Sequence, residues 1–116
     1  LPGVRFRSCY FGPTYGKHLN VTCEGVQVHI ENRDLVEPVE LGLEIISHLM
    51  REYPAEFDWR HDPGDGAGDS PFIDWLLGTD RIRQELEQGI APQQIIKTEL
   101  PQIQTFAKLR EKYLLY

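Results

Sequence analysis

Between Gly25 and Ile30 the chain alternates without a break, setting Val26, Val28 and Ile30 against Gln27, His29 and the following Glu31. A period of two is what a pleated strand with one covered face requires. A second such segment, Val4 to Phe11, puts Val4, Phe6 and Ser8 on one side and Arg5, Arg7 and Cys9 on the other, and Gly12-Pro13 then breaks it. The connection between the two is dense in groups able to bind a ligand: Tyr15, Lys17, His18, Asn20, Thr22 and Cys23. The stretch Phe11 to Arg33 is therefore the organising centre, a polar loop delivered onto rigid strand ends, which is a common way to build a site. An ordinary long hairpin connection is the plainer alternative.

The rest of the chain reads as helices. Asn32-Arg33-Asp34 is turn chemistry. A helix is predicted from Pro38 to Tyr53, with proline at its first position and an apolar stripe of Val39, Leu43, Ile46, Leu49, Met50 and Tyr53; Pro54 ends it. His48 falls on the polar flank as a solvated residue. Phe57-Asp58-Trp59-Arg60 is predicted as a short strand, followed by a Gly/Asp surface loop from His61 to Ser70. The carboxylates of that loop, Asp62, Asp65 and Asp69, lack the spacing and closing Glu of an EF-hand. Phe72 to Leu77 is a short apolar helix, and Gly78-Thr79-Asp80 caps the next, which buries Ile82 and Leu86 and ends at Gly89. Pro92 starts a further helix with Ile95 and Ile96, which Pro101 is expected to kink or restart. Ile103, Phe106, Ala107 and Leu109 carry its apolar face to the end of the chain, where an apolar terminus is expected to be docked. Two strands followed by helices predict an α+β fold, a small antiparallel sheet from the N-terminal half packed against several helices in a single domain.

Composition narrows the function. A chain of 116 residues, 41% hydrophobic, is long enough for one core without staples. Its 12 basic and 18 acidic side chains give a net charge of −6 with no basic run, which argues against nucleic acid as a partner. No apolar stretch approaches the roughly 20 residues of a membrane span. Leu1-Pro2-Gly3, without an initiator Met or a signal-peptide pattern, reads as the interior of a longer protein. Cys9 and Cys23 lie on the two strand candidates, so a disulfide and a pair of buried thiols both remain open. No nucleophile elbow or phosphate-cradling glycine motif occurs, and His18, His29, His48 and His61 show no metal-ligand spacing, so no cofactor and no metal are expected. Glycosidic cleavage usually takes two carboxylates. Glu24 and Glu31 are available near the loop, but two acids among eighteen do not make a catalytic pair.

Four segments together, FGPTYGKH, CEGVQVH, GTDRIR and REKYLLY, in this order and with PVELGLEIISHLMREYP between them, resemble the C-terminal domain of the NamZ-type exo-β-N-acetylmuramidases along nearly the whole chain. The resemblance implies a longer protein with a Rossmann-like N-terminal domain, this smaller domain, and a cleft between them. It further implies release of N-acetylmuramic acid from the non-reducing ends of peptidoglycan fragments, with the principal catalytic carboxylate on the N-terminal domain. The peptidoglycan-derived sugar and that N-terminal domain are then the partners. Tyr15, Lys17 and His18 of the loop, and Gln27 and His29 of the strand, are implied to line the cleft, with Lys17 pairing a lactyl or peptide carboxylate. Each has a plainer reading: Tyr15 as a packing aromatic, Lys17 as a solvated surface charge, His18 bonded to backbone, Gln27 and His29 as a solvated strand face. One departure from the family pattern is that Glu99 or a neighbour stands where members carry a Trp. The expected function is that of an accessory, cleft-forming domain, inactive alone; the alternative is a non-catalytic carbohydrate- or protein-binding module.

Overall fold

The computed structural model describes residues 1–61 and 70–115, so the acidic loop weighed above as a calcium site lies almost wholly outside the described residues. The chain divides into two compact units, Leu1–Leu41 and Gly42–Tyr116. Strands come first and helices after, and the fold is of the α+β class.

The first unit is a hairpin. Strand β1 (Val4–Phe11) pairs antiparallel with β2 (Cys23–Ile30), in register from Val4 opposite Ile30 to Phe11 opposite Cys23. β2 starts two residues before the apolar alternation, because Cys23 and Glu24 find backbone partners in Phe11 and Tyr10. At the open end the N–H groups of Glu31 and Asn32 both donate to the Gly3 carbonyl, at 2.9 and 3.2 Å. Gly3 has φ +72°, and a Cβ there would run into the Asn32 carbonyl oxygen. Only glycine closes this end without strain. The turn beyond follows the sequence expectation, with Asn32 Oδ1 accepting from the Asp34 N–H at 3.0 Å.

Which face is covered departs from the expectation. Residues opposite one another share a face, so Phe6, Tyr10, Val26, Val28 and Ile30 lie together, and all five are exposed, Val26 to 62%. Cys9, Cys23, Gly25 and His29, on the other face, are half-buried. Alternation reports that a strand has two chemically different faces; it does not report which one is shielded. Part of the shielding is local. The Phe11 ring lies over Gly25, its diagonal neighbour, so closely that a side chain at Gly25 would displace it.

The second unit is helical. Helix α1 (Pro38–Glu52), which begins in the first unit, is followed by α2 (Phe72–Leu77), α3 (Arg81–Glu87), α4 (Pro92–Arg110) and a 3₁₀ turn (Glu111–Tyr113). Leu43 of α1, Ile82 and Leu86 of α3 and Ile95 of α4 form the buried centre, with Ile46, Met50, Trp59, Leu77, Ile90 and Ile96 packed around it. The α1 stripe is narrower than its spacing suggests, since Val39, Leu49 and Tyr53 are exposed. Phe57–Arg60 is not a strand. The Trp59 ring instead packs on the core, edge-on to Phe57, and its Nε1–H donates to Glu87 at 2.8 Å. A half-buried indole is well served by such a partner, and an irregular segment can aim it where a strand would not.

The GTDRIR segment turns out to be a structural joint. Gly78 takes φ +71° to end α2, and Thr79 Oγ1 accepts from the Arg81 N–H at 3.2 Å at the start of α3. Asp80 accepts from Gln84 at 2.8 Å. Arg83 grips Asp74 of α2 with two N–H groups, at 2.9 and 3.0 Å, and reaches Glu87 at 3.1 Å. The Asp74 carboxylate, and then Glu87, hold the Arg83 guanidinium above its ordinary pKa. Arg81 bonds both Glu85 and Glu99, which ties α3 to α4. Glu99, at or beside the departure from the family pattern, is thus a partly buried ion-pair partner.

Two expectations for the C-terminal part are corrected. Helix α4 runs through Pro101, so of the two outcomes expected there the restart is the one overturned. The apolar terminus is not docked among the described residues: Leu114 and Leu115 are exposed, as are Ile103, Phe106 and Leu109.

Candidate functional site

The loop joining β1 to β2 comprises residues 12–22 and is wound into a tight coil. Gly16, His18 and Asn20 all have positive φ, at +74°, +61° and +62°. Glycine adopts this conformation freely and asparagine tolerates it, whereas histidine does so at a cost of order 1 kcal/mol or more. Two backbone bonds hold the coil: Asn20 N–H donates to the Pro13 carbonyl at 3.3 Å, and Val21 N–H to the His18 carbonyl at 3.0 Å. The first ties the loop's entry to its exit. The second closes a turn on His18 itself, so the strained residue is fixed by its own carbonyl.

This winding puts the chemistry outward. Tyr15 is 86% exposed, and Lys17 and His18 are exposed beside it. Among the described residues no hydrogen bond or ion pair holds the side chains of Tyr15, Lys17 or His18. An exposed aromatic ring and an uncommitted ammonium side by side offer a ligand a stacking face and a positive charge.

Gln27 and His29 sit on the polar face of β2, two residues apart and therefore on the same side. Gln27 is exposed; His29 is half-buried, and its Nε2 is buried without a hydrogen-bond partner. A buried imidazole nitrogen is normally hydrogen-bonded, to protein, water or ligand. The register adds two residues that the sequence reading left aside. Arg5 stands opposite His29 and Arg7 opposite Gln27. Arg5 is paired with Glu31 at 3.0 Å, whereas Arg7 is exposed and makes no ion pair among the described residues. The alternation of β1 already put both arginines on one side; only the pairing register shows that this is the Gln27–His29 side.

The strand face and the loop belong to one unit, but they are distinct patches: Tyr15, Lys17 and His18 at the tip, Arg7, Gln27 and His29 along the sheet. Cys9 and Cys23 share the sheet face and are free thiols. No group of three or more His, Cys, Asp or Glu able to hold a metal occurs among the described residues. No helix among the described residues is long and apolar enough to cross a membrane. Of the carboxylates near the loop, Glu31 is committed to Arg5 and Glu24 lies on the apolar side of the sheet.

Such a chain is a small α+β module with a hairpin that presents polar groups. Comparison with known proteins places it more closely. Residues 1–116 match the model of the family described as exo-β-N-acetylmuramidase NamZ, C-terminal, and the chain belongs to that family. It is 36% identical over 116 residues to the peptidoglycan β-N-acetylmuramidase NamZ of Bacillus subtilis (strain 168), covering 100% of this chain and 26% of that protein. A crystal structure of a DUF1343 family protein from Bacteroides fragilis NCTC 9343 has the same fold, with a TM-score of 0.72 at 23% identity over 100% of this chain and 29% of that one. The chain thus spans about a quarter of the length of the curated relative, which is a larger protein.

Proposed function

We propose that the chain is the accessory, cleft-forming domain of a glycoside hydrolase that releases N-acetylmuramic acid from the non-reducing ends of peptidoglycan fragments. The observation that carries this reading is the coiled loop at residues 12–22, where Tyr15 and Lys17 are held outward by a backbone strained at His18. Family membership supports the reaction class, and the strained, outward-facing loop supports this choice of binding residues. In this reading the domain contributes binding. Tyr15 offers a ring face for the sugar, and Lys17 an ammonium for its carboxylate. Arg7, Gln27 and His29 form a second polar strip, and the guanidinium of Arg7 has the fork geometry that carboxylates accept. The catalytic carboxylate is supplied by the N-terminal domain of the full-length protein.

The test is Lys17→Met in the full-length protein, assayed on a chromogenic muramic acid glycoside. The expected outcome is a loss of about tenfold to a hundredfold in kcat/KM, corresponding to about 1.5–3 kcal/mol for a charged hydrogen bond. Thermal stability should stay that of the wild type, because the side chain is exposed. Wild-type kinetics in the variant would mean that the loop is only a connection. The 116-residue chain alone should show no turnover; turnover that is lost on mutating a residue within it would place the catalytic group here instead.

A further inference from the structure

We infer that the second half of α4, with the 3₁₀ turn after it, is the surface on which the preceding domain of the full-length protein docks. The inference rests on the reading of the chain as one domain of a longer protein, and not on the identity of the substrate.

At 100° per residue, Ile103, Phe106 and Leu109 fall within about 80° of Ile95 on the α4 surface. Ile95 is 0% exposed, at the centre of the helical core. Phe106, on the same stripe, is 62% exposed, and Ile103 and Leu109 are exposed with it. The stripe continues into Tyr113 and Leu114, also exposed. One amphipathic face is therefore covered over the first part of the helix and bare over the last, with Pro101 between the two parts.

Helix propensity does not explain the bare part. Pro101 removes the N–H that would bond the Lys97 carbonyl, a change worth about 3 kcal/mol inside a helix. Helical segments shorter than about 12 residues are marginal in water unless an apolar face is packed. The nine residues after Pro101 have such a face and nothing against it among the described residues. A contiguous exposed patch of this kind, with a polar rim, marks a contact surface.

The occupant follows from length and charge. The chain covers 26% of its curated relative, so about three quarters of a protein of that kind lies outside it. A covalently attached domain is present at high effective concentration and covers such a face without the cost of bringing two free molecules together. Beside the stripe the charges are mainly basic, with Arg110 and, in the 3₁₀ turn, Lys112 against Glu111, in a chain whose net charge is −6. The docking surface of the preceding domain is accordingly apolar and edged by carboxylates.

The experiment uses the full-length protein. Phe106→Cys and, as a control on the opposite side of α4, Lys108→Cys are each labelled with a maleimide under native conditions and read by peptide mass spectrometry, which separates them from Cys9 and Cys23. Labelling of Phe106→Cys at least tenfold slower than that of Lys108→Cys, and independent of protein concentration, is the expected result. Equal rates overturn the inference, and so does protection that disappears on dilution, which would mean that a second copy covers the stripe. Hydroxyl-radical footprinting of the unaltered protein keeps the test open should a variant misfold: Leu109 should be oxidised several-fold more slowly than the exposed Leu76 of α2, and equal oxidation overturns the inference. Neither readout involves substrate. A protein inactive on muramic acid glycosides with a protected stripe would refute the proposed activity and leave this surface standing.

Discussion

In the helical unit, Leu43, Ile82, Leu86 and Ile95 are withdrawn from water by three helices, while in the hairpin Phe6, Val26, Val28 and Ile30 face solvent. Both regions carry apolar residues at the proper period for their secondary structure. They are held together by different forces. The helices depend on side-chain burial, at about 1.5–3 kcal/mol for each fully buried aliphatic residue. The hairpin depends on its backbone ladder and on the closure at Gly3, and a two-stranded sheet alone is marginal in water. A unit held by its backbone leaves its side chains free for other work, and the candidate site residues are all in that unit.

Three substitutions in the 116-residue chain would break or sharpen this contrast. Ile95→Ala should have the largest effect, costing about 2–5 kcal/mol by the loss of buried methyl groups and the cavity left behind. A urea titration reads it as a lower midpoint; a midpoint close to wild type would show that the helical core is not closed around Ile95. Gly3→Ala should come next, at about 1–3 kcal/mol, because it forces a Cβ onto the Asn32 carbonyl and a positive φ onto an alanine. Its signature is local. Amide exchange at Glu31 and Asn32 should accelerate while α3 and α4 stay protected, and uniform acceleration would mean that the two units do not unfold separately. Val26→Thr should be the smallest, within about 0.5 kcal/mol, since the side chain is already exposed and threonine keeps the strand preference. A cost above 1 kcal/mol, read from the same titration, would show that the apolar sheet face is covered in solution.

Local rules were enough for much of the architecture. The alternation of Val4–Phe11 and Gly25–Ile30 located both strands, and Pro38, Gly78, Gly89 and Pro92 located helix ends to within a residue or two. These signals act over one to four residues, through φ limits and capping, and do not depend on what lies across the fold. The candidate loop was legible for the same reason, through its density of polar groups between two strand patterns. Trp59 was not. Its neighbours suit a strand, yet the core and Glu87 draw its ring into an irregular segment. Nor did spacing show that Arg7 stands opposite Gln27, which depends on the hairpin register.

By itself, then, the sequence determined the elements, their order, the polar hairpin loop and the family pattern, all properties of residues near one another along the chain. Tertiary structure alone decided which apolar stripe is covered. Val26 and Phe106 stay exposed and Ile95 does not, although each lies on the apolar face of its own element. Burial is a property of two surfaces, and a periodic pattern describes only one of them.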